Sequence, residues 1–383
     1  MAGRAGFQLP SWGSLSSEQE SIVNMPTSRD YVVQGSPGTG KTVMALYRAV
    51  RISQRDNCNV TILVYNRPLM MYMETATKSN SQFAKVKVNT WHSWLNDFFK
   101  SHFNISTPKV EAFEPDWSEV KSYCQRVPNV IPHIIIDEGQ DFPIELVRCL
   151  KIVAKNITCF IDPNQAIDEG KTEVVDILKG LFVECPKTLT INYRNRKPIA
   201  DLSRLYWNGI GVFAEPNTKD VGSGKPRVIQ CDDFDELNDK MCDIIRDNRG
   251  KSIGILTNNK WLNRTFSSLE DELEGEGIEL EMFKAKAKTD ELDFSKKGVK
   301  VMSFGTMKGL EFDLVIIVCF EMMLATGDPN ADTNRAYVAI TRACQDLRIT
   351  YFKLTSGPKW AQVMKKLSAD KTKPRSQQLC TWE

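Results

Sequence analysis

Two short polar segments carry residue types suited to phosphate and metal chemistry. The first, GSPGTGKT at residues 35–42, fits the pattern G-x-x-x-x-G-K-[ST], whose backbone N–H groups surround phosphates. The second, DEGQD at residues 137–141, directly follows an apolar run. Its polar groups are costly to place at the end of a core strand unless a ligand binds them. A nucleotide phosphate and a magnesium ion would each do so, and the pair therefore predicts a site for nucleotide hydrolysis.

The glycine-rich segment predicts a complete nucleotide cradle. It follows the strand-like run DYVVQ and precedes the helical pattern TVMALYRAV, which is the setting that a P-loop requires. The positive end of the helix dipole adds to the attraction for phosphate. The predicted nucleotide-binding residues are Gly35, Ser36, Pro37, Gly38, Thr39, Gly40, Lys41 and Thr42.

Four side chains are expected to carry the chemistry of this site. Lys41 should contact the β- and γ-phosphates, and Thr42 should coordinate Mg²⁺. Asp137 would hold the same ion through water, and Glu138 would orient or deprotonate the attacking water. ATP and Mg²⁺ are therefore the predicted cofactors, and the predicted activity is hydrolysis of a phosphoanhydride bond.

A parallel sheet is needed to bring the two segments together. Apolar strand-like runs alternate with amphipathic segments of helix length, first in DYVVQG, VTILVYN, KVKVNT, HIIIDEG and ITCFID, and again in PRVIQC, SIGILTN, VKVMSF, DLVIIVCF and LRITYF. This alternation predicts an α/β protein with parallel sheets, which bind ligands at the carboxyl ends of their strands. The two sets of strands meet near residue 187, so we expect domains at residues 1–186 and 187–383 of the 383-residue chain.

Composition excludes several other classes of protein. The net charge is only +2, so any contact with nucleic acid must come from local patches. Ten cysteines without a C-x-x-C pair indicate reduced thiols, not a disulfide framework or a zinc site. No apolar run reaches the roughly 18 residues needed to span a bilayer, and the first residues lack a signal-peptide core. We therefore expect a cytoplasmic protein without a membrane partner.

Further motifs, in their order along the chain, resemble those of UvrD/Rep/PcrA-type superfamily 1 DNA helicases. DEGQD looks like motif II of that family, and the resemblance covers roughly residues 15–350. It implies two tandem RecA-like P-loop NTPase domains with the ATP site in the cleft between them. The matching segments are LSSEQESIV (Q motif), VYNRPLMMYM (motif Ia), NTWHSWL (motif Ic), CFIDPNQAI (motif III), LTINYRNRKPIA (motif IV), MSFGTMKGLEFDLVIIV (motif V) and NRAYVAITRA (motif VI).

The resemblance also assigns roles in nucleotide recognition to residues outside the two polar segments. Gln19 would read the adenine base, Tyr193 would stack on it, and Glu311 would lie near the ribose. Three further residues would act on the γ-phosphate, as its sensor and as two arginine fingers: Gln165, Arg194 and Arg342. Because the first domain would supply the lysine and the second the arginines, ATP is expected to favour a closed arrangement of the domains.

Motifs Ia and Ic contact nucleic acid in the family, which points to Asn66, Arg67, Trp91 and His92 as contact residues. An alternative for the tryptophans is packing, because Trp91 and Trp94 are spaced for one face of a helix. Two features of the sequence that bear on nucleic-acid binding depart from the family pattern. Residues 96–133 leave little room for a large inserted subdomain, and the aromatic residues that usually follow motif III are replaced by acidic ones. Autonomous unwinding of duplex is therefore in doubt.

Three functions remain open at this point. The first is a minimal superfamily 1 ATPase that binds single-stranded DNA and moves along it. The second is an ATP-dependent nucleic-acid sensor or regulatory subunit of a complex, such as an anti-phage defence or restriction system, in which a partner nuclease or effector acts. The third is a helicase directed to RNA, which a comparison of 2′-OH and 2′-H strands would distinguish.

Overall fold

The apolar runs of the sequence form two parallel sheets, one in each of two units of the chain. The structure, a computed structural model, describes residues 9–78, 80–111, 114–164, 172–217, 224–283, 292–321, 329–352 and 361–383. The N-terminal unit comprises Leu9–Ser36 and Gly40–Thr190, and the C-terminal unit comprises Pro37–Thr39 and Ile191–Glu383. The predicted α/β class with parallel sheets is confirmed.

The N-terminal unit is built on a six-stranded sheet in which every strand is parallel to its neighbours. Its order is β3-β2-β6-β7-β1-β8. Together with the short antiparallel pair β4–β5, the strands are β1 (Tyr31–Gly35), β2 (Val60–Val64), β3 (Val86–Thr90), β4 (Lys109–Glu111), β5 (Glu114–Pro115), β6 (Ile131–Ile136), β7 (Ala154–Ile161) and β8 (Lys187–Leu189). Since β8 pairs with β1, the first sheet extends beyond the predicted domain boundary at residue 186.

Helices cover both faces of this sheet, which is why its central strands are apolar throughout. In β6, Ile134 and Ile136 face a cluster formed with helices α4 to α7, and Ile135 between them is also buried. The helices are α1 (Ser17–Val23), α2 (Lys41–Arg55), α3 (Arg67–Thr77), α4 (Trp91–Phe103), α5 (Trp117–Cys124), α6 (Ile144–Val153) and α7 (Val174–Gly180).

The C-terminal unit repeats the architecture with a seven-stranded sheet whose strand pairs are again parallel. Its order is β13-β14-β12-β15-β16-β11-β17, and a two-residue pair β9–β10 lies outside it. The strands are β9 (Ile191–Asn192), β10 (Glu215–Pro216), β11 (Arg227–Cys231), β12 (Ile253–Thr257), β13 (Leu280–Met282), β14 (Val299–Ser303), β15 (Phe312–Ile317), β16 (Ala343–Phe352) and β17 (Thr381–Trp382). The helices are α8 (Lys197–Arg204), α9 (Phe234–Asp247), α10 (Leu262–Glu272), α11 (Pro329–Ile340) and α12 (Ala361–Lys371).

Two expectations from composition can be compared with these elements. The ten cysteines all fall within the described residues and are free thiols, as expected. Within the described ranges, no helix combines the length and the apolar character needed to cross a bilayer.

A buried arginine on α2 ties the segment after α1 to the sheet. Arg48 is fully buried, and its guanidinium donates to the carbonyls of Val23 at 3.3 Å, Met25 at 2.6 Å and Pro26 at 2.8 Å. Its Nε donates to the hydroxyl of Thr158 in β7 at 3.2 Å. Burial lowers the pKa of Arg48 to about 10. The cation thus stabilises carbonyl groups that water does not reach, and it fixes α1 beside α2.

Substitution of Arg48 by Met is expected to lower the free energy of unfolding by about 2–3 kcal/mol, because buried carbonyls lose their donors. Urea unfolding followed by circular dichroism measures the change. Arg51→Met is the matched control, since Arg51 is exposed on the same helix and should change stability by no more than about 0.5 kcal/mol. Equal effects of the two substitutions would contradict the structural role of Arg48.

Candidate active site

The P-loop connects β1 to α2 through backbone that only glycine adopts readily. Gly38 has a φ of 82° and Gly40 a φ of 88°, both in the left-handed region. Gly40 is the residue immediately before α2, and a Cβ on it would lie 2.8 Å from Nε2 of Gln19. The left-handed conformation at position 40 therefore favours glycine, and a Cβ there would also require the Gln19 amide to move.

Lys41 and Thr42 emerge at the first turn of α2, at the carboxyl edge of the sheet. The Lys41 ammonium donates to the carbonyls of Gly35 at 2.8 Å and Ser36 at 3.3 Å, and it forms an ion pair with Asp162 at 3.3 Å. The Thr42 hydroxyl donates to Oδ2 of Asp137 at 2.7 Å. The structure thus brings together the P-loop and the DEGQD segment, which are far apart in sequence.

Asp137 and Glu138 follow β6 and are almost completely buried, at 0% and 3% exposure. Burial, with the neighbouring charge of Glu138, raises the pKa of Asp137 to about 7, although the Thr42 hydroxyl and the Lys41 ammonium act in the opposite direction. The raised pKa shows that burial of the Asp137 carboxylate outweighs the Thr42 hydrogen bond and the Lys41 charge, so a bound cation would stabilise the ionised form. Mg²⁺ prefers hard oxygen donors and takes few of them from protein, so the donor pair Thr42 and Asp137 fits this ion.

The DEGQD segment makes a tight turn against the next strand. Glu138 has a φ of 57°, and the 3₁₀ turn Gly139–Asp141 follows it. A Cβ on Gly139 would lie 2.3 Å from Sγ of Cys159 in β7, which explains glycine in the middle of the motif. This close approach holds Glu138 beside the end of β7.

Gln140 is a residue of the site whose role sequence reasoning missed. Its side chain is 1% exposed, its Nε2 donates to Oε2 of Glu138 at 2.7 Å, and its Oε1 accepts from the backbone N–H of Asp162 at 2.9 Å. Asp162, which ion-pairs with Lys41, was missed as well. Both residues lie within the quoted motifs II and III, but only the contact between the two strand ends reveals what they do.

Gln19 lies beside the P-loop, as its predicted role requires. It closes a capping box at the start of α1, where its Oε1 accepts from the N–H of Ser16 at 3.1 Å and its own N–H donates to the Ser16 hydroxyl at 3.2 Å. The side chain is 7% exposed and its amide approaches Gly40. Reading of adenine by Gln19 stays a prediction.

The predicted nucleotide residues of the C-terminal unit have partners within that unit. Nε of Arg194 donates to Oε2 of Glu311 at 2.6 Å, so two predicted site residues form one ion pair. Arg342 is fully buried between α11 and β16, and its guanidinium donates to the carbonyls of Val338 at 3.0 Å and Leu310 at 3.2 Å. Tyr193 is 38% exposed. Their roles toward ATP remain predictions, and Gln165 lies outside the described residues.

Asn195 connects the segments that hold the two arginines, a role that sequence reasoning missed. Its Nδ2 donates to the carbonyls of Thr341 at 3.0 Å and Ala343 at 2.6 Å, on either side of Arg342. Its Oδ1 accepts from Asn192 at 2.9 Å, and Oδ1 of Asn192 accepts from the N–H of Arg194 at 3.0 Å. The backbone at both arginines is therefore fixed by one network of buried amides.

The predicted nucleic-acid contacts differ in accessibility. Asn66 caps α3, where its Oδ1 accepts from the N–H of Leu69 at 2.9 Å, and Arg67 begins that helix. Trp91 is 4% exposed and belongs to the core, and its contact with nucleic acid stays a prediction. His92 is exposed and stacks on Trp91 with a centroid distance of 3.4 Å. The accessible aromatic ring of motif Ic is thus His92, not Trp91.

An open groove of about 550 Å³ lies beside this histidine. Trp117 contributes an aromatic ring to its wall, and the exposed Glu111 and Glu114 contribute two carboxylates. Carboxylates repel phosphate, so a nucleic acid that reached this groove would present a base to it and not its backbone. The lining residues are Trp91, His92, Glu111, Glu114, Pro115, Trp117 and Pro143.

Comparison with known proteins shows a family and a fold. A family model described as Schlafen group 3, DNA/RNA helicase domain, matches residues 28–348. The structure is similar to Saccharomyces cerevisiae Dbp5 bound to RNA and ADP BeF3, with a TM-score of 0.55, 14% identity, and coverage of 97% of this chain and 90% of that chain. This likeness shows the predicted fold of two tandem RecA-like units.

Two other comparisons add no further information on fold or family. The C-terminal domain of a possible DNA helicase from Lactobacillus plantarum WCFS1 aligns with a TM-score of 0.34 and 18% identity, over 50% of this chain and 98% of that chain. The comparison with curated proteins finds no match.

Gly40→Ala is expected to weaken ATP binding about tenfold or more. A Cβ in left-handed backbone costs about 1–2 kcal/mol, and relief of that strain would move the loop away from its phosphate-binding shape. Titration with a fluorescent ATP analogue measures the affinity. Gly13→Ala is the control, because Gly13 has an ordinary φ and open space around its Cα. Wild-type affinity in Gly40→Ala would show that this loop does not hold the phosphates.

Proposed function

Because the chain belongs to the Schlafen group 3 DNA/RNA helicase domain family, we propose that it hydrolyses ATP in response to single-stranded nucleic acid and moves along that strand. Within the helicases, we propose a mechanism of the UvrD/Rep/PcrA superfamily 1 type, with DNA as the strand. The observation that carries the proposal is the 2.7 Å contact between Thr42 and Asp137, which joins the P-loop to the acidic segment.

The described residues supply the groups that phosphoryl transfer to water requires. Lys41 would exchange its ion pair with Asp162 for the β- and γ-phosphates. Glu138, buried beside it, would orient the attacking water and accept its proton. Thr42 and Asp137 would hold Mg²⁺, which would supply neutralisation of the phosphate charge. Hydrolysis at this site would depend on charged groups held in position around the phosphate and not on a covalent intermediate. Burial of the site strengthens these electrostatic interactions.

Arg194 and Arg342 are proposed to complete the charge on the γ-phosphate, with Glu311 and Tyr193 at the nucleoside. Support comes from their local order: the network of Asn192 and Asn195 fixes the backbone of both arginines. In this proposal Arg194 exchanges Glu311 for a phosphate oxygen when ATP is bound. Such an exchange makes the position of the arginine depend on the nucleotide, as a motor or a switch requires.

The second candidate function is that of an ATP-dependent sensor or regulatory subunit of a nucleic-acid-processing complex, such as a defence or restriction system. The span between α4 and β6 favours it, because its described residues form only the β4–β5 pair and α5. A subdomain large enough to separate duplex strands is not present in that span. A motor would move along a strand by itself, whereas a regulatory subunit would change the activity of a partner nuclease or effector.

We propose DNA as the strand, and RNA is the alternative, because Dbp5 is described as bound to RNA and the family is described as a DNA/RNA helicase domain. Steady-state ATPase activity should be measured with single-stranded DNA, single-stranded RNA and duplex DNA. A larger increase of the ATPase rate with single-stranded DNA than with single-stranded RNA supports the proposal. An ATPase rate that no nucleic acid changes would favour the regulatory function.

Glu138→Gln is expected to reduce kcat by a factor of about 10²–10⁴, because the group that orients and deprotonates water is lost. Affinity for ATP should change little, since Lys41 and Thr42 remain. Steady-state kinetics and nucleotide titration separate the two quantities. Glu145→Gln, in the first turn of α6, is the control for a lost carboxylate nearby. Wild-type turnover in a folded Glu138→Gln protein would refute the assignment.

His92→Ala is expected to reduce stimulation by single-stranded DNA several-fold, because stacking on an aromatic ring contributes about 1–3 kcal/mol per base. Basal turnover without nucleic acid should be unchanged. His102→Ala on the same helix is the matched control, as His102 is also exposed. The concentration of DNA that gives half-maximal stimulation is the measurement. Equal values for both variants and wild type would remove motif Ic from the proposed interface.

A further inference from the structure

We propose that Gln140 is a positioning residue that links the phosphate-binding Lys41 to the water-orienting Glu138, so that both respond together when a nucleotide phosphate arrives. The inference rests on the proposed ATPase function and gives that site an internal sensor of occupancy. Its basis is a continuous chain of buried contacts from Lys41 through Asp162 and Gln140 to Glu138.

The first part of this chain connects the P-loop to the end of β7. Oδ2 of Asp162 lies 3.3 Å from Nζ of Lys41, and Oδ1 accepts from the N–H of Asn164 at 3.0 Å. Asp162 is fully buried, and the side chain of Lys41 is only 5% exposed. The charge of Lys41 is therefore compensated by Asp162 and by the carbonyls of Gly35 and Ser36.

The second part connects the end of β7 to the acidic segment. Gln140 accepts from the N–H of Asp162 at 2.9 Å and donates to the carboxylate of Glu138 at 2.7 Å. A carboxylate can only accept, and a backbone N–H can only donate. A side chain that satisfies both must present a donor and an acceptor together, and at this length that is the neutral amide of glutamine. Residue type and geometry at position 140 therefore agree.

Arrival of a phosphate would disturb the first part and thereby the second. When Lys41 turns to phosphate oxygens, the buried Asp162 carboxylate loses part of its compensation, which is costly in a site closed to water. The end of β7 then adjusts, and its N–H is the group that holds Gln140. Gln140 carries this adjustment to Glu138. In this way the carboxylate that acts on water reaches its working position only when the phosphate site is filled.

The test uses Gln140→Met, which keeps size but removes both hydrogen bonds, and Gln140→Glu, which keeps size but cannot donate when ionised. Both should lower kcat at least tenfold, while KM and the affinity for a fluorescent ATP analogue stay within about twofold of wild type. A merely structural residue would lower affinity and thermal stability together with kcat. Thermal unfolding is therefore measured for each variant. If only one of the two variants folds, its kinetics are sufficient for the test.

A double-mutant cycle provides the second readout. Asp162→Asn weakens the chain at Lys41, so the kcat of Asp162→Asn combined with Gln140→Met should be no lower than that of the worse single variant. Arg51→Met, exposed on α2, should instead combine additively with Gln140→Met. Additive loss in the Asp162 cycle, or wild-type kcat in a folded Gln140→Met protein, would overturn the inference.

Wild-type protein measured in parallel distinguishes failure of this inference from failure of the proposed ATPase function. If wild-type protein hydrolyses ATP and the Gln140 variants do so at the same rate, the proposed link through Gln140 is refuted and the ATPase proposal stands. Absence of turnover by wild type with every nucleic acid refutes the ATPase proposal, and the link falls with it.

Discussion

The buried carboxylates at the end of β6 are the constraint on which the rest of the N-terminal unit depends. Asp137 and Glu138 stand side by side with almost no exposure to water, and their mutual repulsion and burial raise the pKa of Asp137. Such a pair is stable only if donors surround it. The Thr42 hydroxyl donates to Asp137 and the Gln140 amide donates to Glu138, while the Lys41 ammonium acts on Asp137 through its charge. All three groups belong to the proposed phosphate site.

The backbone is shaped to bring these donors close. Gly139 lets the acidic turn lie against Cys159 of β7, and Gly40 lets the P-loop lie against Gln19 of α1. Arg48 holds α1 in place by donating hydrogen bonds to the carbonyls of Val23 and Met25 at and just beyond the end of that helix. The chemistry of the site therefore depends on residues that contribute no reactive group.

The sequence predicted those parts of the structure that depend on local pattern. Periodic apolar runs located the central strands, and the P-loop pattern located the nucleotide cradle, because both depend on neighbouring residues. Strand β8 was missed, since three residues without an apolar run carry no such signal. The burial of Trp91 was undecided from its spacing alone. The links through Gln140 and Asn195 join residues distant along the chain, and only packing of the sheet brings them together.

The arginines of the C-terminal unit extend the same physical argument. A guanidinium cannot lose its proton, so a buried one must keep acceptors around it in every state. Arg194 has Glu311, and Arg342 has the carbonyls of Val338 and Leu310. Approach to a phosphate must therefore exchange existing acceptors for new ones, and the net gain is smaller than a bare ion pair suggests. In the proposed cycle, a small free-energy difference between the two arrangements would permit ATP to select one of them and hydrolysis to release it.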